Sequence, residues 1–157
     1  MAAQPFVDLK ELDLSKVCFT QEQIYAHLPH RHEFMQMDAI VHFDRKNKIG
    51  VGLREVREDE FWVKGHIPGR PLFPGVLMIE TAAQMAAFLS HQVCPDERFM
   101  GCGGVDGVKF RGTVVPPAKM YVLLKVVEIK PRRTIADAQG IVNDKLVFEG
   151  RVIGLPL

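Results

Sequence analysis

Four residues near the middle of the chain have types and spacing suited to proton transfer: His66, Gly75, Glu80 and Gln84. Glu80 and Gln84 stand four apart in the segment VLMIETAAQMAAFLSH, so on a helix they share one face. Their neighbours Val76, Leu77, Met78, Ile79, Ala82 and Ala83 are apolar. A carboxylate in such company loses solvation, which disfavours its ionised form and suits it to giving up a proton, with Gln84 placed to orient it. His66 is the natural counterpart, because an imidazole accepts a proton near neutral pH. Gly75 directly precedes the helix and Val76 opens it. Backbone N–H groups at this end therefore lack partners within the helix and point at whatever occupies the adjoining cleft. A base, an acid and a dipole for a carbonyl oxygen are what α,β-elimination of water beside a thioester requires. Each feature alone also has a structural explanation, and it is their conjunction that points to chemistry.

These residues need a scaffold that aims them. The segment GHIPGRPLFPG, residues 65–75, holds three prolines and three glycines, which exclude regular structure and impose a stiff, shaped loop. His66 is expected at its mouth, after a strand EFWVKGH that ends at Lys64. The helix beyond the loop is apolar on nearly every face and has to be wrapped on most sides. Thr20 followed by Gln23 forms a capping box, predicting a short helix from Gln21 to about His27 that stops before Pro29. Strands are expected from Asp38 to Phe43, at IGVGLREV and at EFWVKGH as a meander. Further strands follow at VDGVKF, KMYVLLKVVEI, TIADAQGIV and KLVFEGRVI. Val122, Leu124 and Val126 alternate with Tyr121, Leu123 and Lys125, as in a strand packed on both faces. Six or seven antiparallel strands curling around one apolar helix make an α+β fold, in which each element is the other's hydrophobic partner. The 157 residues suit one domain, with residues 1–20 as an N-terminal extension.

Composition narrows the partners. With 20 Lys and Arg against 19 Asp and Glu, the net charge of +1 speaks against a nucleic-acid or membrane-surface binder. No apolar run is long enough to span a membrane. The opening MAAQPFVDLKELDL carries Asp8 and Glu11 where an export signal needs a basic start and an apolar run. Cys18, Cys94 and Cys102 are odd in number and form no CxxC pair, which argues against a disulfide framework or a thiolate zinc site and for a reducing, cytoplasmic location.

Several weaker signals have competing explanations. His27, His30 and His32 are close enough to suggest a metal, but Pro29 redirects the chain between them, so no metal is expected and His30 is read as a structural residue. Gly101, Gly103, Gly104 and Gly107 fit no phosphate-binding template and are read as close passage of a strand by the helix. No cofactor is called for. Lys130, Arg132 and Arg133 form a basic turn that could receive an acidic surface or simply be solvated. Phe73, Phe88 and Phe110 could line a tunnel or belong to the core.

The segment GHIPGRPLFPGVLMIETAAQ, residues 65–84, closely resembles the signature of the 3-hydroxyacyl-acyl-carrier-protein dehydratases of bacterial fatty-acid synthesis, the FabZ type. LPHR at 28–31 with Asp38 after it, GVDGVKF at 104–110, VVP at 114–116 and VNDKLVFEGRV at 142–152 extend the likeness over nearly everything beyond residue 20. The resemblance implies a hot-dog fold, a sheet wrapped around a helix. It implies no cofactor, an acyl-carrier-protein substrate, and a homodimer, three of which can form a hexamer. It also implies His66 as base, Glu80 of the neighbouring chain as acid, and the Gly75 amide as binder of the thioester oxygen. Glu80, followed by Gln84, matches the FabZ type more than the isomerising FabA type, which has Asp there. The chain departs from the family pattern at Pro116-Pro117-Ala118, at His32-Glu33, and at Gln36, where an apolar residue is usual. Two other readings remain at this point: a hot-dog acyl-CoA thioesterase, and a non-catalytic acyl-binding partner that kept the fold.

Overall fold

Side chains alternate along Ala118–Lys130 so that Met120, Val122, Leu124 and Val126 join the apolar cluster around the long helix. Tyr121 and Leu123 join a second cluster on the opposite face. The computed structural model describes residues 4–95 and 98–157. Its sheet has seven strands: β1 (Phe19–Thr20), β2 (Ala39–Asp44), β3 (Ile49–Val56), β4 (Met100–Phe110), β5 (Ala118–Lys130), β6 (Arg133–Val142) and β7 (Lys145–Pro156). They lie in the order β1-β2-β3-β5-β6-β7-β4, each pair antiparallel. A short helix α1 (Gln21–Tyr25) and a long helix α2 (Gly75–Val93) complete the fold, which is the α+β architecture expected.

Helix α2 follows from its composition. Alanines and unbranched apolar residues favour the helix, and Leu77, Met78, Ala82, Met85, Phe88 and Leu89 are buried in the main cluster, so tertiary packing holds it. At α1 the capping box is present as expected: Gln23 N–H donates to Thr20 Oγ1 at 3.3 Å and Thr20 N–H to Gln23 Oε1 at 2.9 Å. The helix ends at Tyr25, two residues short of the expectation.

The outer face of the sheet is also covered. Phe6, Val7, Leu9, Leu12 and Leu14 pack on the second cluster with Val41, Val51, Leu123 and Ile141. Phe6 N–H donates to Gln139 Oε1 at 2.8 Å, and Gln139 Nε2 donates back to Gln4 O at 2.9 Å. Among the described residues, no helix is long and apolar enough to cross a membrane.

Two expectations are corrected. EFWVKGH is not a strand: Val63 N–H bonds to Glu60 O at 3.1 Å and Gly65 N–H to Trp62 O at 3.1 Å, folding the segment into turns. The Glu60 side chain accepts from Arg57 N–H at 2.7 Å and Trp62 Nε1 at 2.9 Å, so a local carboxylate cap overrides the β-propensity of Phe61, Trp62 and Val63. The sheet accordingly passes from β3 directly to β5. Of the glycines of β4, Gly101 and Gly103 stand against the C-terminal residues Leu157 and Leu155 and not against the helix, and Gly107 turns the strand at φ +58°. A Cβ at Gly101 would stand 2.6 Å from Leu157, and one at Gly103 would stand 2.4 Å from Leu155. All three cysteines are free.

Candidate active site

His66 sits inside the turn-rich segment that precedes α2, held by main-chain bonds on both sides. Its N–H donates to Trp62 O at 2.8 Å, and Leu72 N–H donates to His66 O at 2.9 Å. The ring Nδ1 lies 2.7 Å from Leu72 O. A carbonyl oxygen can only accept, so Nδ1 carries a hydrogen and, in the neutral ring, Nε2 is the nitrogen with the lone pair. Between these contacts Gly69 turns the chain at φ +76°, a conformation glycine adopts freely. Phe73 N–H to Val114 O at 2.8 Å anchors the far end of the loop.

Helix α2 begins on Pro74, which offers no side-chain cap. The N–H groups of Leu77 and Met78 turn back to Pro74 O at 2.9 and 3.3 Å. Those of Gly75 and Val76 have no hydrogen-bond partner among the described residues and remain available to a carbonyl oxygen. Gly75 lies close under Phe110, where an added Cβ would stand 2.8 Å from the ring and push it aside. The Val76 side chain is 70% exposed, unusual for an aliphatic residue at the mouth of a site.

Glu80 and Gln84 share a face of α2 as expected, and Gln84 Nε2 donates to Glu80 Oε1 at 2.7 Å. Gln84 Nε2 also donates to Phe34 O at 2.7 Å. Its Oε1 accepts from the Tyr25 hydroxyl at 2.6 Å and from Gln36 N–H at 3.1 Å. Glu80 Oε1 has a second neighbour, His30 Nε2, at 3.4 Å. Burial pushes the Tyr25 phenol well above its ordinary range, so its proton stays in place as a donor.

Gln36 extends this network into the core. Only 1% exposed, it accepts through Oε1 from Arg54 Nη2 at 3.0 Å and Nε at 3.2 Å, and donates through Nε2 to Glu33 O at 2.8 Å. Arg54, 2% exposed, forms an ion pair with Glu60 and stacks over Phe73 with its guanidinium carbon 5.0 Å from the ring centroid. Burial pushes the Glu60 carboxyl up. Hydrogen bonds from Arg54, Arg57 N–H and Trp62 outweigh it and hold the group below the usual carboxylate range. Because His66 N–H bonds to Trp62 O, a run of polar contacts through the buried Gln36 and Arg54 connects the Glu80 face of α2 with the exposed His66 segment. Sequence reasoning identified His66, Gly75, Val76, Glu80 and Gln84 but not Tyr25, Arg54 or Glu60, whose roles depend on partners in other elements.

A cavity of about 320 Å³ opens further along the same side of α2, lined by Ala87, Phe88, Ser90 and His91 together with Phe99. Phe88 belongs both to the core and to this lining, whereas Phe110 is half-exposed over Gly75. Of the three histidines weighed for a metal, His27 packs against His91 with the rings tilted by 55° and 4.8 Å between centroids, and His30 contacts Glu80. Among the described residues no three His, Cys, Asp or Glu side chains are grouped to hold a metal ion.

Residues 28–151 match the FabA-like domain family. A 3-hydroxyacyl-[acyl-carrier-protein] dehydratase FabZ of Koribacter versatilis is 40% identical over 129 residues, 80% of this chain and 81% of that relative. One from Desulfotalea psychrophila is 33% identical over 129 residues, 80% of this chain and 85% of its own length. The fold is shared with the dehydratase heterocomplex ApeI:P of Xenorhabdus doucetiae at a TM-score of 0.71 and 12% identity, covering 85% of this chain and 90% of that one. It is also shared with a mutant thioesterase of Pseudomonas aeruginosa at a TM-score of 0.66 and 14% identity, covering 92% and 100%. With the family match spanning most of the sheet, the helix and the loop between them, this chain belongs to the FabA-like family, among its FabZ-type hot-dog dehydratases.

Proposed function

We propose that this chain removes water from 3-hydroxyacyl thioesters borne on an acyl carrier protein, giving trans-2-enoyl thioesters in type II fatty-acid synthesis in the cytoplasm. The observation that carries the proposal is the tautomer imposed by Leu72 O, which leaves His66 Nε2 as a free base beside the uncapped start of α2. His66 Nε2 takes the proton from C2. The N–H groups of Gly75 and Val76 stabilise the negative charge that develops on the thioester oxygen. Glu80, with Oε1 engaged by Gln84, delivers the proton on Oε2 to the C3 hydroxyl, the C3–O bond breaks and water departs. Proton return from His66 to Glu80 restores both groups. Gln84 orients the acid and is counted with the substrate-binding residues.

The site is completed between two copies. Among the described residues of one chain, Glu80 contacts Gln84 and His30 and not His66. Strand β4 pairs on one side only, with β7, and Val105, Phe110, Val76 and Val115 near it are exposed apolar residues. A second copy joined at this edge would bury them and bring each His66 to the other chain's Glu80. Dimers of this kind can assemble further into hexamers. The domain acts as one unit, with residues 1–20 as its N-terminal extension. Lys130, Arg132 and Arg133 offer the carrier protein a basic turn, although Glu128 already engages Lys130 and Arg133 at 2.7 Å each.

Hydration of a crotonyl thioester, followed as loss of enoyl absorbance, tests the assignment. His66→Ala and Glu80→Gln are each expected to lower turnover by roughly 10²–10⁴, and undiminished turnover in both refutes it. Mixing the two inactive variants tests the shared site: exchange of subunits should restore up to about a quarter of wild-type activity, whereas sites contained within single chains would restore none.

A further inference from the structure

We infer that Tyr25 is a positioning residue for this reaction, acting through Gln84 to decide which oxygen of Glu80 carries the transferable proton. The inference rests on Glu80 being the acid. The Tyr25 hydroxyl accepts from Met37 N–H at 2.8 Å, so its single hydrogen is directed to Gln84 Oε1, 2.6 Å away. Gln36 N–H donates to the same oxygen at 3.1 Å. Turning the Gln84 amide over would set its NH₂ group against two donors and its oxygen against two acceptors, Phe34 O and Glu80. Both hydrogens of Nε2 are thereby committed, one to Phe34 O and one to Glu80 Oε1. An oxygen that accepts from an amide is a poor place for a carboxyl proton, so the proton that Glu80 transfers is carried on Oε2. Tyr25 touches no substrate in this scheme. It belongs to α1, an element remote in sequence from α2, and is 5% exposed, which keeps water from replacing its bond.

Tyr25→Phe keeps the ring and removes the hydroxyl, taking a donor from Gln84 Oε1 and an acceptor from Met37 N–H. The expected result is a fall in kcat of about tenfold with KM within about twofold, because an oriented acid matters to the transition state and not to ground-state binding. In a Gln84→Leu background the same substitution should change kcat by less than about twofold, since its effect runs through the amide. An unchanged kcat, an effect confined to KM, or an equal loss in both backgrounds overturns the inference. A second readout uses the unaltered protein: the Gln84 side-chain amide should give a resolved pair of NMR signals protected from solvent exchange, and rapid exchange also overturns it. Full turnover in Glu80→Gln would remove the acid assignment and this inference with it. Loss in Glu80→Gln alongside a wild-type Tyr25→Phe removes only the inference.

Discussion

On α2, Glu80 is held by a side chain, Gln84, which is fixed in turn by the Tyr25 hydroxyl and by the main chain at Gln36 and Phe34, while Arg54 and Glu60 support the Gln36 side chain from the core. In the preceding loop, His66 is held by main chain, with Leu72 O on its ring and Trp62 O on its own N–H. The two arrangements reach the same end, a proton-transfer group with one atom left over for substrate. They differ in what can disturb them. A group supported by side chains is exposed to substitutions scattered through the sequence, whereas one supported by carbonyls depends on loop shape and tolerates changes in the residues that supply them.

The largest effect is expected from Arg54→Leu, which strands the Glu60 carboxylate and the Gln36 oxygen in the core and should cost about 3–5 kcal/mol of stability in denaturant unfolding. A loss well below about 1 kcal/mol would mean that the network is not a support, and the contrast would fail. Next is Glu60→Gln. Glu60 is held below the usual carboxylate range in the fold, so its contribution is fully present above that range and lost as the pH falls through the lower folded value. Wild type should exceed Glu60→Gln by about 1–2 kcal/mol near neutrality, as for hydrogen bonds to a charged group. The gap should close in acid, and a pH-independent gap in unfolding experiments would contradict the ion-pair role. The smallest effect is expected from Leu72→Ala: because Leu72 holds His66 through its carbonyl, kcat should stay within about threefold of wild type. A much larger drop would show that the loop also depends on side chains and would blur the distinction.

The helix, the Pro/Gly loop and the residues on them were legible because their signals are local. Glu80 and Gln84 are a helical pair, Gly75 and Val76 mark a helix start, and a run of Pro and Gly announces a rigid loop. Less was legible where distant contacts decide. Phe61, Trp62 and Val63 have the composition of a strand, and only the Glu60 carboxylate bonding back to Arg57 N–H and Trp62 makes them a turn. Arg54 in β3 has the look of an outward charge, and nothing near it in sequence foretells a place at 2% exposure. Tyr25 lies on the buried side of α1 beside Ile24, a pattern that predicts burial but not the bond to Gln84. The apolar residues of the N-terminal segment likewise gain meaning only once the outer face of the sheet is seen to need covering.

Gln36 and Arg54 also constrain how this chain can change over generations. Replacing Gln36 alone by an apolar residue would leave a guanidinium in a closed interior short of an acceptor, and losing Arg54 alone would leave Glu60 with only Arg57 N–H and the Trp62 indole as donors. Substitutions at positions 36, 54 and 60 are therefore coupled, each altering the cost of a change at the other two.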